Sequence, residues 1–99
     1  MDARRLETAL AEEFGGSAAE RRVVARQARD LSDSGKPKRD RGHALTIPDV
    51  LRHLADAPEG SSLVERWNWW LGALETAYGG YDRFTVRVVA DDDEVDVDQ

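Results

Sequence analysis

Ser62-Leu63-Val64-Glu65-Arg66-Trp67-Asn68-Trp69-Trp70-Leu71-Gly72-Ala73-Leu74-Glu75-Thr76-Ala77-Tyr78-Gly79-Gly80 is the stretch that decides the fold class. Ser62 and Glu65 stand three apart ahead of an apolar run, the signature of a capping box in which each side chain satisfies an orphan backbone N–H. From there Leu63, Val64, Trp67, Trp70, Leu71, Leu74 and Tyr78 recur at helical spacing, and the two glycines close the helix. One long helix with a broad apolar face needs other helices to cover it, so the chain reads as mainly α. Within this helix Trp67 and Trp70 belong to the buried face. Trp69 points roughly 160° away from the centre of that face by the 100° step of the helix.

The same signals repeat upstream. Ala3, Leu6, Leu10 and Phe14 mark a helix over Asp2–Phe14 that Gly15-Gly16 ends, and Ser17-Ala18-Ala19-Glu20 is a second capping box. The helix it opens runs to about Leu31 and buries Val24, Ala28 and Leu31. A further helix begins after Thr46, with Pro48 in its first turn, carries Ile47, Val50, Leu51 and Leu54, and ends before Pro58. Ser32–Gly42 has no apolar residue and reads as an exposed, mobile loop. His43-Ala44-Leu45 reads as a short extended piece. After the long helix, Phe84-Thr85-Val86-Arg87-Val88-Val89 has strand composition, with Phe84, Val86 and Val88 on one side. Residues 91–99 carry six acidic side chains and read as a disordered tail.

The expected architecture is therefore α+β but mainly α: one four-helix domain over residues 1–90 with a single C-terminal strand. A strand needs a partner. Candidates are the His43–Thr46 stretch, part of the loop before it, or the same strand of a second copy. The order helix, short strand, helix, helix, strand over residues 17–90 resembles a winged helix, a fold that implies DNA binding. That likeness rests on element order and on no motif.

Charge is unevenly placed. Eight cations and three anions fall between Arg21 and Arg41, a net +5, which leaves −11 for the remainder of a chain whose total is −6. Arg22, Arg26 and Arg29 line one helix face, and Lys36, Lys38, Arg39 and Arg41 follow in the loop. Guanidinium groups on a helix grip successive phosphates, and a basic loop tracks a backbone, which makes these seven residues the candidate nucleic-acid contact set. The competing reading is a solvated face that pairs with the chain's own carboxylates. Trp69, with Phe84, Val86 and Val88 of the strand, forms a candidate protein interface, in a partner complex or a homodimer; a covered Trp69 is the competing reading.

Several classes are disfavoured. Cys is absent, which removes disulfides and thiolate chemistry. His43 and His53 lack ligand spacing, so no metal is expected, and no cofactor motif is present. Neither a nucleophile elbow nor a poised carboxylate pair occurs, so the chain reads as non-enzymatic. No apolar run approaches membrane-spanning length, and the N-terminus carries no apolar leader, so a cytoplasmic protein is expected. Arg outnumbers Lys 12 to 2 and Asp outnumbers Glu 12 to 8, a bias that resembles salt-adapted archaeal proteins and that GC-rich coding also produces. The function expected is a small binding module, either nucleic-acid-associated or regulatory through the arginines, or a protein-interaction adaptor through Trp69 and the strand.

Overall fold

Local capping sets where the helices begin. Asp2 accepts from the backbone N–H groups of Arg4 and Arg5, at 3.0 and 3.2 Å. Both capping boxes form: Ser17 with Glu20 at 3.0 and 3.2 Å, and Ser62 with Glu65 at 3.1 and 2.7 Å. Thr46 accepts from Asp49 N–H at 3.2 Å. The computed structural model describes residues 1–87. They form α1 (Ala3–Phe14), α2 (Ala18–Asp33), α3 (Lys36–Arg41), α4 (Ile47–Ala55) and α5 (Leu63–Tyr78), then a 3-10 turn at Asp82–Phe84.

Helices α1 and α2 form a hairpin across Gly15–Ser17, and α5 lies against both α2 and α4. The faces that meet carry the expected residues: Leu6 and Leu10 from α1, Val24, Ala28 and Leu31 from α2, Val50 and Leu54 from α4, Trp67, Trp70, Leu71 and Leu74 from α5. Each buried leucine contributes about 2 kcal/mol of transfer free energy, so this four-way seam is the main source of stability. No helix among the described residues is long and apolar enough to cross a membrane.

Three expectations fail. Ser32–Gly42 is not a mobile loop: α2 continues to Asp33 and the six-residue helix α3 follows. The chain turns into α3 at Gly35, whose φ of 73° suits glycine, and Pro37 in the first turn is fully buried. Lys36 pairs with Asp40 at 3.0 Å, and Asp40 accepts from the Tyr81 hydroxyl at 2.9 Å, so long-range contacts order what composition alone leaves open.

Nor is there a C-terminal strand among the described residues, where Phe84 closes a 3-10 turn and Thr85–Arg87 pair with no neighbouring strand. The reason lies in α5. The Trp67 indole donates to the Phe84 carbonyl at 2.9 Å, and the Asn68 amide takes both the N–H and the carbonyl of Val86 at 2.8 Å each. Side chains thus occupy the backbone groups that a partner strand would have used. His43–Leu45 is likewise unpaired, so the winged-helix likeness fails for want of any strand among the described residues. Val88, Val89 and the acidic stretch 91–99 lie outside the described residues.

Candidate functional site

The tetrapeptide Trp67-Asn68-Trp69-Trp70 divides its labour. Trp67 is fully buried and meets Trp70 edge to face, with centroids 5.8 Å apart. Its N–H and the Asn68 amide hold the segment that follows α5. Trp70 is buried and stacks flat on His53, with centroids 4.7 Å apart and planes within 7°. Trp69 is different: it is 43% exposed and its indole N–H has no hydrogen bond among the described residues. Around it on the outer face of α5 lie exposed Glu65, Gly72, Ala73 and Thr76, as the helical step predicts.

Behind Trp70 sits a charged cluster built on Asp49, the one buried carboxylate among the described residues. Arg41 donates to both its oxygens, at 2.8 and 3.1 Å, and Arg52 adds a bond at 2.9 Å. Burial pushes the Asp49 carboxyl up, but the Arg41 hydrogen bonds and the nearby positive charge outweigh it and hold the pKa below the usual carboxylate value. His53 Nε2 lies 3.1 Å from an Arg41 nitrogen and 3.3 Å from Asp49. Burial lowers its pKa, Asp49 works the other way, and Arg41 and Arg52 assist the lowering. The role of Nε2 follows the tautomer: with the proton on Nδ1 it accepts from Arg41, and with the proton on Nε2 it donates toward Asp49. The arrangement is a structural lock between α3, α4 and α5.

A second lock joins α3 to the C-terminal segment. Tyr81 is fully buried, and burial followed by its hydrogen bond to Asp40 raises the phenol well above its ordinary value. Hydrogen bonds from Lys36 and then Tyr81 hold the Asp40 carboxyl low. Glu75 accepts from the backbone N–H groups of Tyr81 and Asp82 at 2.7 and 2.8 Å, which keeps its carboxyl low as well. Gly80 passes so close to Lys36 that a Cβ would meet its Cε at 3.0 Å. Among the described residues no group of three or more His, Asp or Glu comes together to hold a metal ion.

The seven basic candidates therefore separate. Lys36 and Arg41 are engaged with Asp40 and Asp49. Lys38 and Arg39 are exposed on α3, with Arg39 donating to the Ser34 carbonyl at 3.2 Å. Arg22, Arg26 and Arg29 are all exposed on α2, and the nearest carboxylate contact among the described residues is Arg29 to its neighbour Asp30 at 4.0 Å. Between Arg22 and Arg26 lies a shallow hollow of about 220 Å³, floored by Ala19 and Val23, whose only charged groups among the described residues are those two arginines. A larger open groove of about 410 Å³ beside α3 sets Lys36, Arg39 and Arg83 against Glu75 and Asp82, so its charges largely oppose each other.

The protein-interface candidates also separate. Trp69 faces outward; Phe84 and Val86 are buried against the helices, and Val88 lies outside the described residues. Sequence reasoning missed Asn68, Asp49 and Tyr81. A buried pair such as Asp49–Arg41 has no signature at a spacing of eight. Asn68 had one signal, an amide in the middle of an apolar, aromatic helix face.

A family model described as the WNWW domain matches residues 1–75, a span that includes α1 to α4 and most of α5. Trp67-Asn68-Trp69-Trp70 spells that description. No curated protein and no solved structure matches the chain.

Proposed function

The chain belongs to the WNWW domain family, and we propose that it acts as a small non-enzymatic binding module that presents the arginine face of α2 to a nucleic-acid backbone. One observation carries this reading. Several cations have internal tasks: Arg21 caps the α1–α2 link through the Gly15 and Gly16 carbonyls, Arg66 donates to Leu54 O, Arg41 holds Asp49 and Lys36 holds Asp40, whereas Arg4, Arg5 and Lys38 are exposed but do not line up on one helix face as the α2 arginines do. Arg22, Arg26 and Arg29 have no such task among the described residues, although the chain carries 20 carboxylates. An acidic protein that leaves three aligned guanidinium groups outward keeps a local positive potential at a cost in self-neutralisation. Their spacing along one helix face suits successive phosphates, and the hollow between Arg22 and Arg26 accepts an anionic group. Lys38 and Arg39 extend the set from α3, whereas Lys36 and Arg41 serve the fold.

Fluorescence anisotropy with labelled duplex DNA and single-stranded RNA tests this at low salt, where electrostatic attraction is strongest. Saturable binding that disappears in the Arg22→Glu/Arg26→Glu/Arg29→Glu variant, with helicity by circular dichroism unchanged, is the expected result. No binding to either nucleic acid overturns it.

A second reading, a protein interface on the outer face of α5, is favoured by Trp69. Three of the four residues of the tetrapeptide have structural partners, and exposed aromatic anchors are typical of interface hot spots. Trp69→Ala then abolishes partner capture and leaves nucleic-acid binding intact.

A further inference from the structure

The segment after α5 is held as a bound peptide is held. Between Tyr81 and Arg87 the backbone–backbone hydrogen bonds are those of its own turn, Phe84 N–H to Tyr81 O and Thr85 N–H to Asp82 O. The hydrogen bonds that join Phe84–Val86 to the helices come from two side chains of α5, and they reach main-chain atoms only. The Asn68 amide matches the N–H and carbonyl of one residue, as an opposing residue in an antiparallel ladder does. Such contacts read main-chain groups whatever the sequence: Phe84 closes the 3-10 turn and Thr85 beyond it is extended. Selectivity comes from alternate side chains: Phe84 and Val86 are buried, Thr85 is half-buried and Arg87 is exposed.

The groove and its occupant also divide at the family boundary. Trp67 and Asn68 lie inside the matched span 1–75, and Phe84–Val86 lie outside it. Upstream, Tyr81 is moored by Asp40 and Glu75, so the part beyond it can leave at the cost of the Asp82–Phe84 turn while α1 to α5 stay in place.

We propose that the Trp67–Asn68 face of α5 is a peptide-binding groove. In the free chain Phe84-Thr85-Val86 fills it; in exchange it takes a segment of a partner protein that turns at an aromatic residue and runs extended to a β-branched one two positions on. The tethered occupant competes at an effective concentration on the order of millimolar, so a partner peptide binds the intact chain weakly and tightens when the chain's own segment is weakened.

The test uses the full-length chain, labelled with ¹⁵N, and a capped synthetic peptide of sequence Arg-Phe-Thr-Val-Arg, that of residues 83–87. The Asn68 side-chain amide and Trp67 indole resonances report occupancy. Val86→Asp in the chain is expected to tighten peptide binding at least tenfold, and adding Asn68→Ala to lose it. Binding that Val86→Asp leaves unchanged, or that survives Asn68→Ala, overturns the proposal. Because Val86→Asp puts a charge in a buried position, hydrogen exchange on the unaltered chain provides an independent measurement. Val86 N–H and the Trp67 indole N–H are expected to exchange at least a hundredfold faster than the Leu71 amide. Equal rates mean that the segment leaves only when the whole domain unfolds, which overturns the exchange. A concentration-dependent dimer of the wild type that Val86→Asp abolishes assigns the groove to a second copy and overturns the partner reading.

Discussion

Arg26 and Arg41 belong to the same basic stretch of sequence and do opposite work. On the outer face of α2, Arg22, Arg26 and Arg29 are exposed, with the closest carboxylate contact among the described residues at 4.0 Å. At the junction of α3 and α4, Arg41 is mostly buried and grips both oxygens of a carboxylate whose side chain is 6% exposed. The difference is set by what faces each residue. A buried Asp49 without Arg41 would lose its bidentate partner and keep only the exposed Arg52, whereas the α2 arginines leave no partner among the described residues unsatisfied if removed. A run of cations is therefore not a binding patch until those that hold the fold have been set aside.

The largest expected effect breaks the structural half of this contrast. Arg41→Ala strands the Asp49 carboxylate with only exposed Arg52 and neutral His53 for company, and should cost about 3 kcal/mol in urea unfolding. Next comes Asn68→Ala. It leaves the Val86 N–H and carbonyl unpaired in a buried setting and should cost about 2 kcal/mol by the same measurement, without loss of helicity.

Acid should follow the same lock in two steps. The His53 pKa is lowered from 6.5 in the fold, so the unfolded chain binds more protons just below that value. Stability is full above pH 6.5 and falls as pH drops toward the folded pKa. Asp49, lowered from 3.8, keeps its contribution above that pH and loses it as pH falls through its folded pKa. Thermal melts between pH 7.5 and 5 should show the first step, and His53→Gln should flatten it. The smallest effect sharpens the other half of the comparison. Arg22→Ala/Arg26→Ala/Arg29→Ala should leave the melting temperature nearly unchanged, within about 0.5 kcal/mol per site, because these exposed side chains make no ion pair between elements among the described residues.

The same division explains what the sequence shows and what it conceals. Helix starts were legible because capping is local: Ser17 with Glu20 and Ser62 with Glu65 act across three residues. The core stripes were legible because the periodicity of one helix dictates its buried face, and the outward direction of Trp69 followed from the same step. The helix at Lys36–Arg41 was not, because its order depends on Tyr81, 41 residues from Asp40, and on the burial of Pro37. Around Phe84–Val86, β-branched composition did signal extended backbone, and Thr85 has φ −74° and ψ 159°. It could not signal that the partners are side chains 17 and 18 residues upstream rather than a strand. For the candidate site, composition located the arginines but not which of them the fold consumes.

The salt dependence of nucleic-acid binding, measured for the wild type beside Arg22→Ala/Arg26→Ala/Arg29→Ala, tests the central claim most directly. Each phosphate contact adds about 0.9 to the slope of log K against log salt on duplex DNA, so removal of three should reduce the slope by about 2.7 at unchanged stability. Equal slopes for the two proteins would contradict the assignment of α2 as the phosphate-contacting face.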